Sequence, residues 1–347
     1  MMQRYVRVLL LSLALMVVGV ATAQDQQQGQ NGLNVVATTT QAADIIRILA
    51  DGVDEAINIT ALMGAGVDPH LYQPTESDIM AMNEADVVVY NGLNLEGQFD
   101  TVFNALSEQG VTTLTLGQPV KDAGFIVGGF ELSEELTNVD DPHFWFDPRN
   151  WEITTLSLAE SLAETDPDNA ETYMSNADAY IADLRTLFDW AEAGMRSVPA
   201  AQRYLVTSHD AFQYYGAAFG WRVFGIQGLS TEDEAGVGDI QGTVDFVINN
   251  DIPVLFVESS IPPSTIEAVI EAVEDAGGAV RAGVRELYSD AMGEVGTFGG
   301  TYIGMIGENT YTVLQSYRCA GVDLEIPAWP EGLEPQPPQD LLDVSCD

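Results

Sequence analysis

The chain contains three histidines, and two of them share one tripeptide context. Asp68-Pro69-His70 and Asp141-Pro142-His143 are both D-P-H; the third lies in Thr207-Ser208-His209-Asp210, directly after the apolar run Tyr204-Leu205-Val206. Neutral imidazole offers a nitrogen lone pair at physiological pH and is the commonest metal ligand. A lone histidine is more often a surface or core residue, but the repeated D-P-H shifts that balance. Proline fixes its own φ and restricts the residue before it, so each ring leaves a pre-set backbone and loses little entropy on binding. With Asp290, in Leu287-Tyr288-Ser289-Asp290-Ala291-Met292-Gly293, the histidines stand at ends of predicted elements, where open α/β sheets bind ligands. Three imidazoles and a carboxylate suit Zn²⁺ and are acceptable to Mn²⁺ or Fe²⁺. Spacing alone does not select Asp290 from 53 acidic residues.

The elements that must position these groups alternate. Strand-like runs are expected at 33–38, 57–63, 85–90 and 112–116, with helices at 41–50, from 76 onward and at 96–108. Thr75-Glu76-Ser77-Asp78 resembles a capping box. The alternation predicts a parallel sheet with helices on both faces. From Asp168 to about Arg196, Tyr173, Ala177, Tyr180, Ile181, Leu184, Leu187, Phe188 and Ala191 keep a 3.6-residue period, with no proline or glycine before Gly194. Such a helix is ~40 Å long and reads as a strut between two lobes. Strands at 203–207, 221–226, 253–258 and 279–284 then alternate with helices at 209–219, 231–250, 264–276 (capped by Ser264) and 301–318. The fold class is therefore α/β, two lobes joined by one long backbone helix. The expected boundaries are 33–165 for the first lobe, 168–198 for the linking helix, 203–320 for the second lobe and 321–347 for a proline-rich tail extended over the surface. A mature chain of about 320 residues exceeds the usual size of one core.

Composition bounds the compartment. Arg4 and Arg7, an apolar run at 8–20 and Ala21-Thr22-Ala23 before Gln24 read as a secretory leader, 1–23, followed by a polar disordered spacer, 24–32. The apolar run is too short and wrongly flanked for a membrane span. No cysteine stands near the cleavage point, so no lipid anchor is expected. The two cysteines, Cys319 and Cys346, most simply form a disulfide in an oxidising compartment, tying the tail back at ~3–4 kcal/mol. Two free thiols are the alternative. The chain carries 12 Lys+Arg against 53 Asp+Glu, a formal net charge of −41, and Lys121 is its sole lysine. No basic patch can meet phosphates, which excludes nucleic acid and disfavours anionic lipid. The field concentrates cations, although most of these carboxylates read as a solubility adaptation, as to a salty habitat.

From about Val35 to Arg318 the sequence resembles the cluster A-I metal-binding receptors of ABC importers, the zinc and manganese solute-binding proteins, TroA-like branch. The matching segments are GVDPHLYQPTESDI, DPHFWFDPRNW, TSHDAFQYYGAAFG, GIQGLST, FVESSIPPSTIEAV, LYSDAMG and GTYIGMI. The resemblance implies two α/β lobes on one backbone helix and a single divalent metal in the cleft between them. It implies His70 and His143 as ligands from the first lobe, and His209 and Asp290 from the second. The chain departs from many zinc receptors in having no histidine between Asn94 and Glu135, and from many manganese receptors in having His209 where they carry Glu. The extra imidazole favours zinc, with manganese next. Asp68, Asp141 and Glu258 are candidates to accept hydrogen bonds from ligand imidazoles; turn capping or a satisfied strand end are the bland alternatives. Trp145 and Phe146 read as packing.

The leading expectation is a periplasmic or extracellular monomer that captures one ion and delivers it to an inner-membrane ABC permease. One alternative is a secreted zinc hydrolase. Such an enzyme keeps an open coordination position, four protein ligands would fill it, and no H-E-x-x-H or G-x-S-x-G is present. The other is a metal-binding surface adhesin. A long single helix predicts only modest closure on metal binding.

Overall fold

Strand β1 (Leu33–Ala37) is followed by helix α1 (Thr40–Leu49), β2 (Ile57–Ala61), α2 (Glu76–Asn83), β3 (Val87–Tyr90), α3 (Asp100–Gln109), β4 (Thr112–Thr115) and α4 (Gln118–Asp122). This is a computed structural model, and it describes residues 32–53, 57–131 and 137–346; the leader and all but the last residue of the spacer lie outside the described residues. The strands pair in parallel in the order β2-β1-β3-β4. Val87, Val88 and Val89 are fully buried, as a central parallel strand with both faces covered requires. Because β1 has β2 on one side and β3 on the other, the connections leaving the C-terminal ends of β1 and β3 diverge and open a crevice. α2 begins with the expected capping box, Thr75 against Asp78.

A hairpin of β5 (Gly128–Glu131) and β6 (Thr137–Asp140) leads into the second D-P-H. Two long helices follow, α5 (Pro148–Thr165) and α6 (Ala170–Met195), packed on each other. The 26 residues of α6 span ~39 Å, and a 3₁₀ turn at Pro167–Asn169 replaces the first residues of the expected strut. Sequence periodicity does not point to α5. Its buried face mixes Trp151, Leu158 and Leu162 with Asn150, Thr154 and Thr155, which blurs the apolar stripe.

The second lobe repeats the plan with β7 (Tyr204–Thr207), α7 (Gln213–Phe219), β8 (Arg222–Gly225), α8 (Val237–Asn249), β9 (Val254–Leu255), α9 (Ser264–Asp275) and β10 (Arg281–Ala282). β7 pairs with β8 and β9 with β10, all parallel, and a bridge from Thr207 to Phe256 joins the two pairs. The order β8-β7-β9-β10 thus mirrors the first lobe, and β7 and β9 diverge as β1 and β3 do. α10 (Tyr302–Cys319) and α11 (Gln339–Leu342) complete the chain.

Four expectations are corrected. The helix expected from His209 begins at Gln213, and the one expected from Thr231 begins at Val237; the residues ahead of each remain irregular. α9 carries Pro263 at its cap position, with no side-chain cap from Ser264. The tail does more than run over the surface. Leu333 and Leu341 are buried, Ile326 and Trp329 pack on the same core, Ser197 Oγ donates to Glu325 O (2.8 Å) and Trp190 Nε1 to Pro327 O (3.3 Å). The sulfurs of Cys319 and Cys346 lie 1.97 Å apart. One apolar core runs through β1, β3, α1, α5, α6, α7 and α10, so both sheets are anchored in the same packed interior. Smaller clusters sit outside it, under α2 and α3 in one lobe and α8 and α9 in the other.

Candidate metal centre

His70, His143, His209 and Asp290 meet at the crevice where the two sheets face each other, all buried. Each arrives on a short irregular segment. In both D-P-H tripeptides the aspartate turns back and accepts the backbone N–H of its own histidine at 2.9 Å, Asp68 Oδ1 for His70 and Asp141 Oδ1 for His143. The repeated sequence therefore encodes a repeated turn. His143 opens a 3₁₀ turn, Phe144–Phe146, whose aromatic rings are fully buried in the core, as expected for Trp145 and Phe146. His209 follows β7, and Glu258 Oε1 accepts its backbone N–H at 2.8 Å. Asp290 sits ahead of α10 in a loop fastened to the N-terminal turn of α1. Gln41 Nε2 donates to Asp290 O (3.0 Å), and Met292 N donates to Thr40 Oγ1 (2.9 Å).

The side chains converge through one kind of atom. His143 Nε2 lies 3.4 Å from His70 Nε2 and 3.4 Å from His209 Nε2. Asp290 Oδ1 is 3.2 Å from His143 Nε2, and its Oδ2 is 3.3 Å from His209 Nε2 and 4.0 Å from His70 Nε2. A tetrahedral ion with bonds of ~2.0–2.1 Å holds its ligand atoms ~3.3–3.4 Å apart. Both Asp290 oxygens face the nitrogens, so this carboxylate can engage an ion through one oxygen or both.

Two of the imidazoles are oriented from behind. His143 Nδ1 is 2.7 Å from Asp141 Oδ1, and His209 Nδ1 is 2.6 Å from Glu258 Oε2. An ionised carboxylate only accepts, so each Nδ1–H donates and each Nε2 faces the common centre. Asp68 differs. Its Oδ1 caps the His70 turn and its Oδ2 accepts from Thr231 Oγ1 (2.7 Å), so its contacts are to backbone and hydroxyl rather than to the ring. Of the three candidate orienting acids, the structure places Asp141 and Glu258 against imidazoles and Asp68 against the backbone.

The electrostatics fit a cation. Burial pulls His143 down, but the hydrogen bond and charge of Asp141, with Asp290 beyond, more than reverse this and raise it to about 9. His209 is likewise raised, burial being outweighed by Glu258 and Asp290. Burial holds His70 down to about 3. Asp290 is pulled below the carboxylate range by His209 and His143 against the cost of its burial. Three buried acids thus draw protons onto two imidazoles, and a divalent ion would replace those protons.

Supporting groups were not legible beforehand. Glu96 is buried; its Oε1 accepts from Thr38 Oγ1 (2.7 Å) and Asn91 N (2.8 Å), and its Oε2 from Gly92 N (3.1 Å). Asn91 Nδ2 in turn donates to Pro142 O (3.0 Å), fixing the second D-P-H. Burial raises the Glu96 carboxyl despite these donors. Tyr214 on α7 donates to Asp141 O (2.9 Å) and accepts from Val127 N (3.0 Å). The only signals were an Asn-Gly at a strand end and a tyrosine two turns into a motif read as a histidine motif.

The family described as zinc-uptake complex component A, periplasmic, matches residues 35–316. The chain belongs to this family. It is 36% identical over 300 residues to the manganese-binding lipoprotein MntA of Bacillus subtilis, covering 86% of this chain and 94% of that protein. It is 38% identical over 281 residues to the zinc-binding protein TroA of Treponema pallidum, covering 81% and 87%. The solved structure of the periplasmic zinc-binding protein TroA superposes with a TM-score of 0.75 at 36% identity, covering 82% of this chain and 99% of that one. The two-lobe α/β architecture with its long linking helix is the family's, and the chain is a metal-binding, substrate-binding protein of the ABC-importer class rather than an enzyme. The family is periplasmic by its description, and several relatives, MntA among them, are named lipoproteins.

Proposed function

We propose that the chain captures one divalent transition-metal ion at His70, His143, His209 and Asp290 and delivers it to an inner-membrane ABC permease, with zinc its favoured ion and manganese next. The observation that carries this reading is the convergence of three Nε2 atoms and one carboxylate within 4.8 Å of one another, four of the separations being 3.2–3.4 Å. The N₃O donor set favours zinc, while manganese prefers more oxygen ligands and six-coordination. Kinship leaves room for both, since one relative is named zinc-binding and another manganese-binding. Fe²⁺ would be accepted by the same donors.

The ion acts here as cargo. Asp141 and Glu258 hold the Nδ1–H of two imidazoles before it arrives, so each ring is already oriented and capture requires loss of an Nε2 proton rather than a turn of the ring. Ligands come from both lobes, and the ion draws them together. We read residues 1–23 as a cleaved leader, 33–165 and 203–320 as the lobes, 168–198 as the linking helix, 321–347 as a disulfide-tied tail, and the mature protein as a periplasmic or extracellular monomer. The test of ion choice is competition. Metal-free mature protein offered equimolar Zn²⁺ and Mn²⁺ should retain zinc, counted by mass spectrometry after desalting; retention of manganese would overturn the preference.

A further inference from the structure

The loop between β8 and α8, residues 226–236, joins the two histidine segments that come from opposite lobes. At its base it is bound to the His209 segment, because Gln227 N donates to Ser208 O (2.9 Å) and Asp210 N donates to Gly228 O (3.1 Å). At its tip Thr231, buried, donates through Oγ1 to Asp68 Oδ2 at 2.7 Å. The other oxygen of the same carboxylate holds the His70 backbone N–H at 2.9 Å. The loop backbone, hydrogen-bonded at one end to the His209 segment and at the other to Asp68, thus connects that segment to the backbone of His70. The neighbouring residue repeats the crossing at the surface, Glu232 Oε1 accepting from Gln98 Nε2 at 2.9 Å.

His70 is the ligand that needs such a tie. His143 and His209 are each held at Nδ1 by a carboxylate, whereas among the described residues His70 is held through its backbone alone. It also lies at the long edge of the donor set, 4.0 Å from Asp290 Oδ2. Its segment, between β2 and α2, forms neither helix nor strand. We infer that Thr231 is a positioning residue whose hydroxyl latches the His70 turn to the second lobe and so sets how long the bound ion stays. This rests on the metal-capture reading above and adds to it the group that controls release. A half-buried hydroxyl-to-carboxylate bond is worth more than an exposed one, so the Thr231–Asp68 contact carries the effect and the Gln98–Glu232 contact adds little.

The experiment is stopped-flow release of zinc from the zinc-loaded mature chain into excess chelator, read by the absorbance of a zinc-sensitive dye. Thr231→Val keeps the volume and removes the hydroxyl, Thr231→Ala removes both, and Thr231→Ser restores the hydroxyl. Release from the Val and Ala variants should be about tenfold or more faster than wild type, with one zinc per chain still bound at saturation. The Ser variant should return within about twofold of wild type, and Gln98→Leu should stay there too. Wild-type rates in both Val and Ala variants would overturn the latch, as would a Ser variant as fast as Val. A wild-type chain that loads no zinc would instead overturn the metal-capture reading beneath it.

Discussion

Two histidines in this chain are set by an acid rather than by packing, and that acid decides how they titrate. Glu258 lies 2.6 Å from His209 Nδ1, and Asp141 lies 2.7 Å from His143 Nδ1. Glu258→Gln should keep one metal per chain but weaken affinity ~10–100-fold, measured by chelator competition, because the neutral amide no longer raises ligand basicity. An unchanged affinity would remove Glu258 from the account. The proton balance gives a second prediction. His143, raised to about 9, is protonated at neutral pH in the metal-free protein and His209 is raised in the same direction, while His70, lowered to about 3, is neutral. Metal entry must therefore expel a proton from His143 at least, and a weakly buffered titration at pH 7 should record about one or more per zinc. Affinity should rise with pH until His143 and His209 have lost their protons. For the metal-free fold the sign is opposite. The raised His143 contributes stability that is full below ~6.5 and is lost as pH rises through about 9, so thermal melts of metal-free protein should fall across that window. No proton release at pH 7 would contradict this description of the site. At this scale the sequence was informative where chemistry is rare: three histidines and a duplicated D-P-H pointed to three of the four side chains that meet. Asp290 was one acid among 53 and came only through family resemblance. Glu96 and Thr231 carried no signal, because their roles depend on which strand ends and lobes face each other in space.

The elements that hold the site are short segments pinned between strand ends, and their tolerance is small. Gly225 closes β8 where the backbone passes beneath the His209 segment; a Cβ built there would lie 2.4 Å from Asp210 N and 2.6 Å from His209 C. Gly225→Ala must push the backbone of that segment aside. It should cost ~1–3 kcal/mol of stability in denaturant unfolding and reduce metal affinity together with it. Wild-type values for both would show that the segment has slack. The strand and helix pattern was readable where one period dominates, as in α6 and the valine-rich β3. It failed at α5, whose buried face carries Asn150, Thr154 and Thr155, with Thr154 Oγ1 satisfied by Leu116 O at 2.9 Å. It also failed at 209–212 and 231–236, where helical propensity yields to hydrogen bonds that serve the His209 segment and the loop over it. In each case tertiary partners overrode the local pattern.

Both sheets of the molecule share one packed interior built on α5, α6 and α10, and the tail is strapped across it by Leu333, Leu341 and Trp329. Wide opening would expose part of that core, so metal-free and metal-loaded protein should give nearly superposable small-angle scattering profiles. A large compaction on loading would contradict a welded frame. The linking helix was legible because 26 residues of one period leave no other reading, but the welding was not, since it depends on α5 and on the return of the tail. Few of the 53 acidic residues are buried at the site, which leaves the rest free to serve solubility. The account as a whole stands on four side chains holding one ion. Its most direct test is the metal content of the mature protein, loaded with zinc, desalted and counted by mass spectrometry beside His209→Ala and Asp290→Ala, with circular dichroism confirming that each variant is folded. The expected result is one zinc per chain in the wild type and well below one in both folded variants. Zinc absent from the wild type, or retained at one per chain in either variant, would contradict the ligand set.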